Sequence, residues 1–219
     1  MKLLILIPAF QAVPYIENIV EAVKKYGHEI LIVDDGSTDE TANIALAHRL
    51  DVISHPINKG KGAALKTGFT HALEYGYDAV ITLDSDGQHS PSYIPDFIAA
   101  YQRTGADLII GSRKADMADM PWDRRLSNWL TSKTLSLLLG LPIEDSQCGY
   151  RFITADLLRN LHLKSDRFQL ETEIIIKAVK QGFKVRFVPI KVIYGRKFPS
   201  SMNRLVDTLR WITMVLEEI

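Results

Sequence analysis

Short apolar runs that alternate with helical segments are the feature that most limits the fold of this chain. Five strands are predicted from these runs, at residues 2–7, 29–33, 51–55, 78–83 and 106–113. Helices are predicted between them, at residues 14–26, 37–49, 61–76 and 90–105. Strands that are apolar along most of their length are buried on both faces. The pattern therefore predicts an α/β fold with a mostly parallel central sheet and helices on both of its faces.

Carboxylates follow two of these predicted strands directly. Asp34 and Asp35 follow the second strand, and Asp84 and Asp86 follow the fourth, in the stretch VITLDSDGQHSP. Right-handed crossovers place the carboxyl ends of parallel strands along one edge of the sheet, where ligands of such folds bind. Because four carboxylates on one edge repel one another, a cation should lie among them.

The D-x-D spacing of Asp84 and Asp86 suits a hard divalent ion such as Mg²⁺ or Mn²⁺, which takes one or two carboxylates and completes its shell with water and phosphate oxygens. The alternative is a turn whose aspartates only cap the next helix. Other sites fit the spacing poorly. An EF-hand needs glycine and glutamate where the chain has His89 and Pro95, and Leu65 interrupts the glycine patterns of phosphate loops and dinucleotide sites.

The second half of the chain is less regular. After a loop from residue 117, a helix is predicted at 125–139, then a polar loop through residue 152, a helix at 170–181 and a strand at 184–190. Residues 200–219 form a predicted amphipathic C-terminal helix with Arg204 and Arg210 on its polar side. No linker or repeat divides the sequence, so residues 1–219 are expected to form a single domain.

Charge and cysteine content limit the partners and the compartment. With 26 basic and 26 acidic residues, the chain has no net charge to attract nucleic acid. Cys148 is the only cysteine, which excludes intrachain disulfides and fits the cytoplasm. No apolar stretch reaches the roughly 18 residues that cross a bilayer, and the start MKLLILIPAF is interpreted as a strand. We expect a cytoplasmic protein, free or peripheral at the inner face of the membrane.

A series of short motifs resembles a known family. IPAF, VDDGSTDET, NKGKGAALKTGF, LDSDGQH, GSR and DSQCGYRF follow one another over residues 3–195 as in glycosyltransferase family 2, whose members have the GT-A fold. Each motif is weak alone, but the ordered series is specific. The segment FQLETEIIIKAVKQGFKVRFVPIKVIY is similar to dolichyl-phosphate mannose synthases and bacterial polyprenyl-phosphate glycosyltransferases. The Q-x-x-R-W element of processive polysaccharide synthases is absent, which disfavours a polymerase.

The resemblance implies a nucleotide-sugar donor site. Pro8 and Phe10 would border the base, and Asp34 and Asp35 would hold base and ribose. Lys61 would orient the nucleotide, although a solvated lysine that begins a helix is an equal alternative. The chain departs from the family after the first Pro-Ala, because Phe10-Gln11-Ala12 stands where Tyr-Asn-Glu is common. The choice between UDP and GDP therefore stays open.

The resemblance also implies an inverting transfer, in which the acceptor attacks the anomeric carbon opposite the leaving nucleoside diphosphate. Asp84 and Asp86 would bind ribose or the metal ion on the diphosphate, and Arg113 would lie near the phosphates. The metal ion and Arg113 would stabilise the negative charge that develops on the leaving group.

The acceptor decides whether a base is needed. A sugar or other hydroxyl must lose a proton, and Asp145 is then the candidate base. A polyprenyl or dolichyl phosphate is largely ionised at neutral pH, because its second pKa is about 6. Cationic guidance would suffice for it, and Asp145 would instead position an arginine. The arginines that could guide a phosphate are Arg124, Arg125, Arg151 and Arg196.

Two further hypotheses concern partners. The predicted helix at 125–139 and the C-terminal helix are the places where an acceptor lipid or a membrane surface would meet the protein, and an oligomer is also compatible with the sequence. A nucleotide-sugar-binding subunit that serves a membrane-protein partner without catalysis is the non-enzymatic alternative.

Overall fold

A seven-stranded mixed sheet lies at the centre of the molecule. The computed structural model describes residues 1–114, 120–193 and 204–219, without the side chains of residues 204 and 205. The sheet has the order β3-β2-β1-β4-β6-β5-β7. Its strands are β1 Leu3–Ala9, β2 Glu29–Asp34, β3 Asp51–Ser54, β4 Ala79–Thr82, β5 Leu108–Ser112, β6 Arg151–Thr154 and β7 Val185–Pro189.

Helices cover both sides of this sheet, as the alternating sequence pattern predicts. They are α1 Val13–Lys24, α2 Thr41–Ala47, α3 Lys61–Glu74, α4 Ile94–Thr104, α5 Trp122–Leu139, α6 Ala155–Asn160, α7 Leu170–Lys180 and α8 Arg204–Glu218. All seven residues of β1 are buried. Gly68 lets α3 pack closely on this strand, because a β-carbon there would overlap the Leu6 side chain.

Strand β6 corrects the sequence interpretation, which assigned residues through 152 to a polar loop. It pairs antiparallel with β4, where Thr82 faces Arg151, and antiparallel with β5, where Ile110 faces Arg151. Six strands run in one direction and β6 runs against them. The amino end of β6 therefore lies beside the carboxyl ends of its neighbours, and it brings the segment before Arg151 to the edge where Asp84 is found.

Most of the remaining boundaries agree with the sequence interpretation, but the helix predicted at residues 37–49 is shorter, since α2 covers only Thr41–Ala47. Helix α5 begins three residues earlier than predicted, and α6 was not predicted. Of the C-terminal segment at 200–219, the structure describes the helix from residue 204 onwards. Within the described residues, no helix combines the length and the apolar character needed to span a bilayer.

Candidate active site

Lys61 and Asp84 form an ion pair at the carboxyl edge of the sheet. Asp84 follows the last residue of β4 by two positions, and Lys61 is the first residue of α3. The Lys61 Nζ atom lies 2.6 Å from Asp84 Oδ1 and 2.6 Å from Glu171 Oε1. Burial alone would lower the pKa of Lys61, but Asp84 and Glu171 outweigh it and raise that pKa. The ammonium group thus stays charged and bridges two carboxylates.

Gly149 leaves the space that this ion pair occupies. A β-carbon at position 149 would lie 2.6 Å from Asp84 Oδ2 and 2.7 Å from Lys61 Nζ. The Gly149 carbonyl accepts a hydrogen bond from Thr82 Oγ1 at 2.6 Å, which fixes its backbone to the end of β4. Only glycine fits here without displacing charged atoms. Sequence reasoning did not single out Gly149, although it stands in the DSQCGYRF motif.

Asp86 is half-buried and accepts a hydrogen bond from the Gln88 backbone at 2.9 Å. In the described part of the chain it forms no ion pair. Burial and then the nearby Asp84 raise the pKa of Asp86 to about 6, against the opposing charges of Lys61 and Arg124. Burial would also raise the pKa of Asp84, but Lys61 and other cations hold it below its usual value. Asp86 is therefore the carboxylate whose negative charge is least compensated.

The site offers what a hard divalent cation needs. Carboxylate oxygens are the protein ligands that Mg²⁺ prefers, usually one or two of them. Asp84 and Asp86 both stand at the surface edge rather than in the core. Asp84 is paired with Lys61, whereas Asp86 forms no ion pair with any residue that the structure describes. The chemistry of this pair fits the predicted metal ion, with Asp86 as the more available ligand.

Arg113 and Asp145 form a second ion pair, just beyond β5. Arg113 donates from Nε to Asp145 Oδ2 at 2.6 Å and from Nη2 to Oδ1 at 2.8 Å. The backbone N–H groups of Arg113 and Gln147 donate to the same carboxylate at 3.2 and 3.1 Å. The Asp145 side chain is 0% exposed, and although burial would raise its pKa, Arg113 holds it below the usual value. Both carboxylate oxygens are thus engaged, which favours positioning of Arg113 over the predicted role as a base.

Arg151 does not support the acceptor role predicted for it. The side chain is among the largest fully buried ones in the protein. Its guanidinium group donates to three backbone carbonyls, those of Cys148 at 2.7 Å, Glu171 at 2.5 Å and Ser146 at 3.1 Å. A buried guanidinium whose donors are satisfied in this way holds the backbone of the site together and cannot reach a ligand.

The other predicted acceptor arginines differ in position. Arg124 and Arg125 lie in the first turn of α5 and are exposed. The charge of Arg124 acts on Asp86, which places the start of α5 near the carboxylate pair. Arg196 lies outside the described residues.

The residues predicted to bind the nucleotide lie at the same edge, but they differ in exposure and in the hydrogen bonds that they already form. Phe10 is 40% exposed just after β1, while Pro8 is buried inside that strand. Asp34 is buried at the end of β2 and accepts from the Ser37 backbone at 3.3 Å. Asp35 is already committed, because it accepts from the backbone of Lys59 and Gly60 and from a histidine, and so fixes the loop before α3.

His89 lies near both ion pairs, although the sequence analysis considered it only as a mismatch to an EF-hand. It is 6% exposed, and in the described part of the chain its Nδ1 atom has no hydrogen-bond partner. Burial lowers the pKa of His89 to about 4, so the ring is neutral at physiological pH. Asp84 and Arg113 are among the charged groups that act on it, which places this neutral ring beside both ion pairs.

Comparison with known proteins agrees with this architecture. The glycosyl transferase family 2 model matches residues 4–162. The UDP-N-acetylglucosamine–dolichyl-phosphate N-acetylglucosaminyltransferase of Methanococcus voltae is 32% identical over 213 residues, covering 87% of this chain and 85% of the relative. The undecaprenyl-phosphate mannosyltransferase of Micrococcus luteus is 30% identical over 200 residues, covering 84% of this chain and 82% of the relative.

Solved structures show the same fold. Glucosyl-3-phosphoglycerate synthase from Mycobacterium tuberculosis in complex with UDP superimposes with a TM-score of 0.81 and 20% identity, covering 99% of this chain and 79% of that one. The same enzyme has been crystallised with Mn²⁺, UDP and glucosyl-3-phosphoglycerate, and that structure matches with a TM-score of 0.74 and 20% identity over 99% of this chain and 79% of that one. With the family model covering most of its length, the chain belongs to glycosyltransferase family 2 and is a glycosyltransferase of the GT-A fold.

Proposed function

We propose that this glycosyltransferase moves one hexose from a UDP- or GDP-sugar to a polyprenyl or dolichyl phosphate, with inversion at the anomeric carbon and with Mg²⁺ or Mn²⁺ as cofactor. The observation that carries the proposal is the buried Arg113–Asp145 pair. It commits the candidate base to an arginine, and an acceptor that is already ionised needs no base. The names of the two relatives, both transferases to polyprenyl-type phosphates, support the same acceptor class.

The donor side rests on the edge of the sheet. Asp84 and Asp86 would hold the metal ion, with the diphosphate of the donor completing its shell. When bound there, the ion supplies Lewis-acid stabilisation of the charge that develops on the leaving diphosphate. Arg113 is 15% exposed and is oriented by Asp145, so it presents a fixed positive charge to the same phosphates without reorganisation. Phe10 offers an exposed ring against which a base can stack.

The acceptor side rests on helix α5. Arg124 and Arg125 are exposed in its first turn and can pair with a phosphate, and Arg124 lies near enough to act on Asp86. An acceptor phosphate bound there would face the donor site. Because the acceptor oxygen is already charged, the task of the protein is to hold two anionic substrates together, and arginines suit this task.

The same helix carries the surface proposed for the lipid. Its buried face is largely polar and includes Asn128 and Ser132, which bond to each other at 3.2 Å. Its outer face exposes large apolar side chains: Trp122 77%, Leu126 54%, Trp129 56%, Leu130 57% and Leu137 74%. Large apolar side chains that are exposed together on one face of a helix mark a contact surface. We propose that a membrane surface carrying the acceptor lipid covers it.

Transfer to a hydroxyl would demand more of the site. Asp145 would have to release both hydrogen bonds from the Arg113 side chain and move from full burial towards the acceptor. That rearrangement would remove the fixed charge from the phosphates at the moment when it is needed. The pair therefore favours the phosphate acceptor.

The proposal is tested with purified protein, a panel of UDP- and GDP-sugars, and a short-chain polyprenyl phosphate in detergent, with simple glycosides as hydroxyl acceptors. We expect one donor to be used, Mn²⁺- or Mg²⁺-dependent transfer to the phosphate, and a product of inverted anomeric configuration by NMR. Asp145→Asn should lower phosphate transfer without abolishing it. Transfer to glycosides in preference to the phosphate, abolished by Asp145→Asn, would overturn the proposed acceptor.

A further inference from the structure

Asp84, one member of the carboxylate pair, is linked through Lys61 to Glu171, and these three residues form a charge bridge. Both ion-pair distances to Lys61 Nζ are 2.6 Å, and the three side chains are 22%, 17% and 8% exposed. Glu171 lies in the first turn of α7 and is separated from Lys61 by 110 residues. Two distant parts of the chain therefore meet at the ammonium group.

Glu171 is held firmly on its own side of the bridge. Its backbone carbonyl accepts from Arg151 Nη1 at 2.5 Å, and Arg151 is anchored to the carbonyls of Cys148 and Ser146. These bonds tie the start of α7 to the segment that contains Gly149. Lys61 thus lies between a carboxylate on a fixed helix and a carboxylate on the loop after β4.

The charges of this group match a divalent cation. Asp84, Asp86 and Glu171 contribute three negative charges and Lys61 one positive charge, which leaves two negative charges. Without the Glu171 charge only one would remain, and Asp84 alone would hold the ammonium group. A divalent cation approaching Asp84 would then be repelled more strongly by the Lys61 ammonium group, because Glu171 would no longer offset that positive charge.

We infer that Glu171 is a positioning residue that sets the affinity of the Asp84–Asp86 pair for a divalent cation by sharing the charge of the Lys61 ammonium group with Asp84. The inference rests on the proposed function, because the cation in question is the metal ion that would bind the diphosphate of the donor. Glu171 does not touch the substrate. It acts through Lys61, which divides its charge between the two carboxylates.

The inference requires variants of Glu171 and Lys61 to have opposite effects. Glu171→Gln keeps the shape and removes one negative charge, so the dissociation constant for Mn²⁺ should rise about tenfold or more. Lys61→Met removes the competing cation, so that constant should fall below the wild-type value. Glu171→Asp keeps the charge on a shorter side chain and should give an intermediate value. A purely structural role would make both sets of variants weaken Mn²⁺ binding.

The chain offers a matched control two residues along the same helix. Glu173 is 0% exposed and pairs with Lys177 at 2.6 Å, with two further bonds from the backbone of Lys164 and Ser165. Like Glu171 it is a buried carboxylate bonded to a lysine. Glu173→Gln should therefore cost stability without changing Mn²⁺ affinity by more than about twofold.

The experiment measures Mn²⁺ binding to the full chain by electron paramagnetic resonance of the free ion, with and without UDP, after circular dichroism has shown that each variant is folded. Opposite shifts for Glu171→Gln and Lys61→Met support the inference. If Glu171→Gln does not fold, a Lys61→Met protein that binds Mn²⁺ no more tightly than wild type overturns it. Unchanged affinity in folded Glu171→Gln, or equal losses in Glu171→Gln and Glu173→Gln, also overturn it.

The outcome is separable from that of the proposed function. A wild-type protein that binds Mn²⁺ with the expected variant pattern, but transfers no hexose to a polyprenyl phosphate, overturns the proposed acceptor and supports the positioning role. A wild-type protein that transfers hexose in the presence of EDTA and binds no Mn²⁺ overturns the positioning role and supports the acceptor.

Discussion

Gly149 lies directly against Asp84, so that a β-carbon at position 149 would stand 2.6 Å from Asp84 Oδ2. The same β-carbon would crowd Lys61 Nζ at 2.7 Å. The antiparallel strand β6 delivers this glycine to the carboxyl end of β4, where the Thr82 hydroxyl binds its carbonyl. Because glycine has no side chain, position 149 leaves room for the Asp84–Lys61 ion pair at the proposed metal site.

Gly149→Ala should damage the site more than the fold. The methyl group must displace Asp84 or Lys61, because the backbone of residue 149 is fixed by Thr82. We expect a loss of stability of about 1–3 kcal/mol, typical of overpacking, and a much larger proportional loss of Mn²⁺ affinity and of transfer. Chemical denaturation and Mn²⁺ titration of the folded variant measure the two effects.

Gly68→Ala is the control for this prediction. It also places a methyl group where none fits, against Leu6 in the core beneath α3. We expect it to destabilise the protein while the folded fraction keeps wild-type Mn²⁺ affinity. If both alanine variants lowered Mn²⁺ affinity alike, Gly149 would have no special relation to the site.

Asp86→Asn should stabilise the protein without metal at pH 7. Burial and Asp84 raise the pKa of Asp86 to about 6 from an ordinary value of 3.8. Since the folded state binds this proton more tightly, the stabilisation from Asp86 is complete below about pH 4 and is lost as the pH rises through 6. Asparagine carries no charge, so the gain at pH 7 is about 1–2 kcal/mol after allowance for solvent screening.

The same variant tests the metal assignment. Wild-type protein should gain thermal stability when Mn²⁺ is added, because a ligand that binds only the folded state stabilises it. Asp86→Asn should gain much less. An equal Mn²⁺-induced rise in Tm for both proteins would show that Asp86 is not a ligand.

Mn²⁺ affinity should depend on pH in a defined window. A carboxylate must lose its proton to bind a cation, and the Asp86 pKa is raised to about 6. The dissociation constant should therefore be flat above pH 7 and rise towards about tenfold per pH unit below pH 6. Titration from pH 5 to 8 measures it. A constant affinity across this range would contradict the raised pKa.

Arg151 and Arg125 should separate stability from acceptor binding. The Arg151 side chain donates to the backbone carbonyls of Cys148, Glu171 and Ser146, and lysine cannot replace all three hydrogen bonds. Arg151→Lys should therefore lower the free energy of unfolding by about 2–4 kcal/mol. Its KM for the phosphate acceptor should change little once the protein is folded. Arg125→Gln, at an exposed position, should alter stability by less than about 0.5 kcal/mol and raise that KM several-fold. The reverse pattern would restore the acceptor role first predicted for Arg151.

Features that depend on the local pattern of apolar and polar residues could be predicted from the sequence, and features that depend on contacts between distant residues could not. Strands β1 to β5 and β7 are short apolar runs, and their order correctly placed Asp84 and Asp86 at the carboxyl edge of the sheet. Strand β6 was missed because it begins with Arg151, and nothing in a local pattern shows that three distant carbonyls will satisfy a buried guanidinium. The pairing of Lys61 with Glu171 spans 110 residues and arises only from the tertiary fold, which brings the segment before α7 against the start of α3, where the Ala63 backbone N–H donates to the Asp166 carbonyl at 3.0 Å.

The exposed face of α5 should bind membranes. Trp129 and Leu126 are 56% and 54% exposed, while Arg124, Arg125 and Lys133 on the same helix are exposed cations. Apolar burial and attraction to anionic lipid act together on such a helix. We expect sedimentation with phosphatidylglycerol vesicles, weaker sedimentation with neutral phosphatidylcholine vesicles, and loss of vesicle binding in a Leu126→Gln, Trp129→Gln variant.

The matched control replaces exposed apolar residues of α8, where Leu209 is 65% and Leu216 is 76% exposed. If α5 is the membrane contact, changing these two to glutamine should leave vesicle binding less affected than the α5 changes do. The α5 variant should keep its turnover of a water-soluble short-chain acceptor, since Asp84, Asp86 and Arg113 are untouched, and should lose activity on long-chain acceptor in vesicles. Should the α5 variant bind vesicles as wild type does, but change from a dimer to a monomer in solution, the face would be an interface between two copies of the chain.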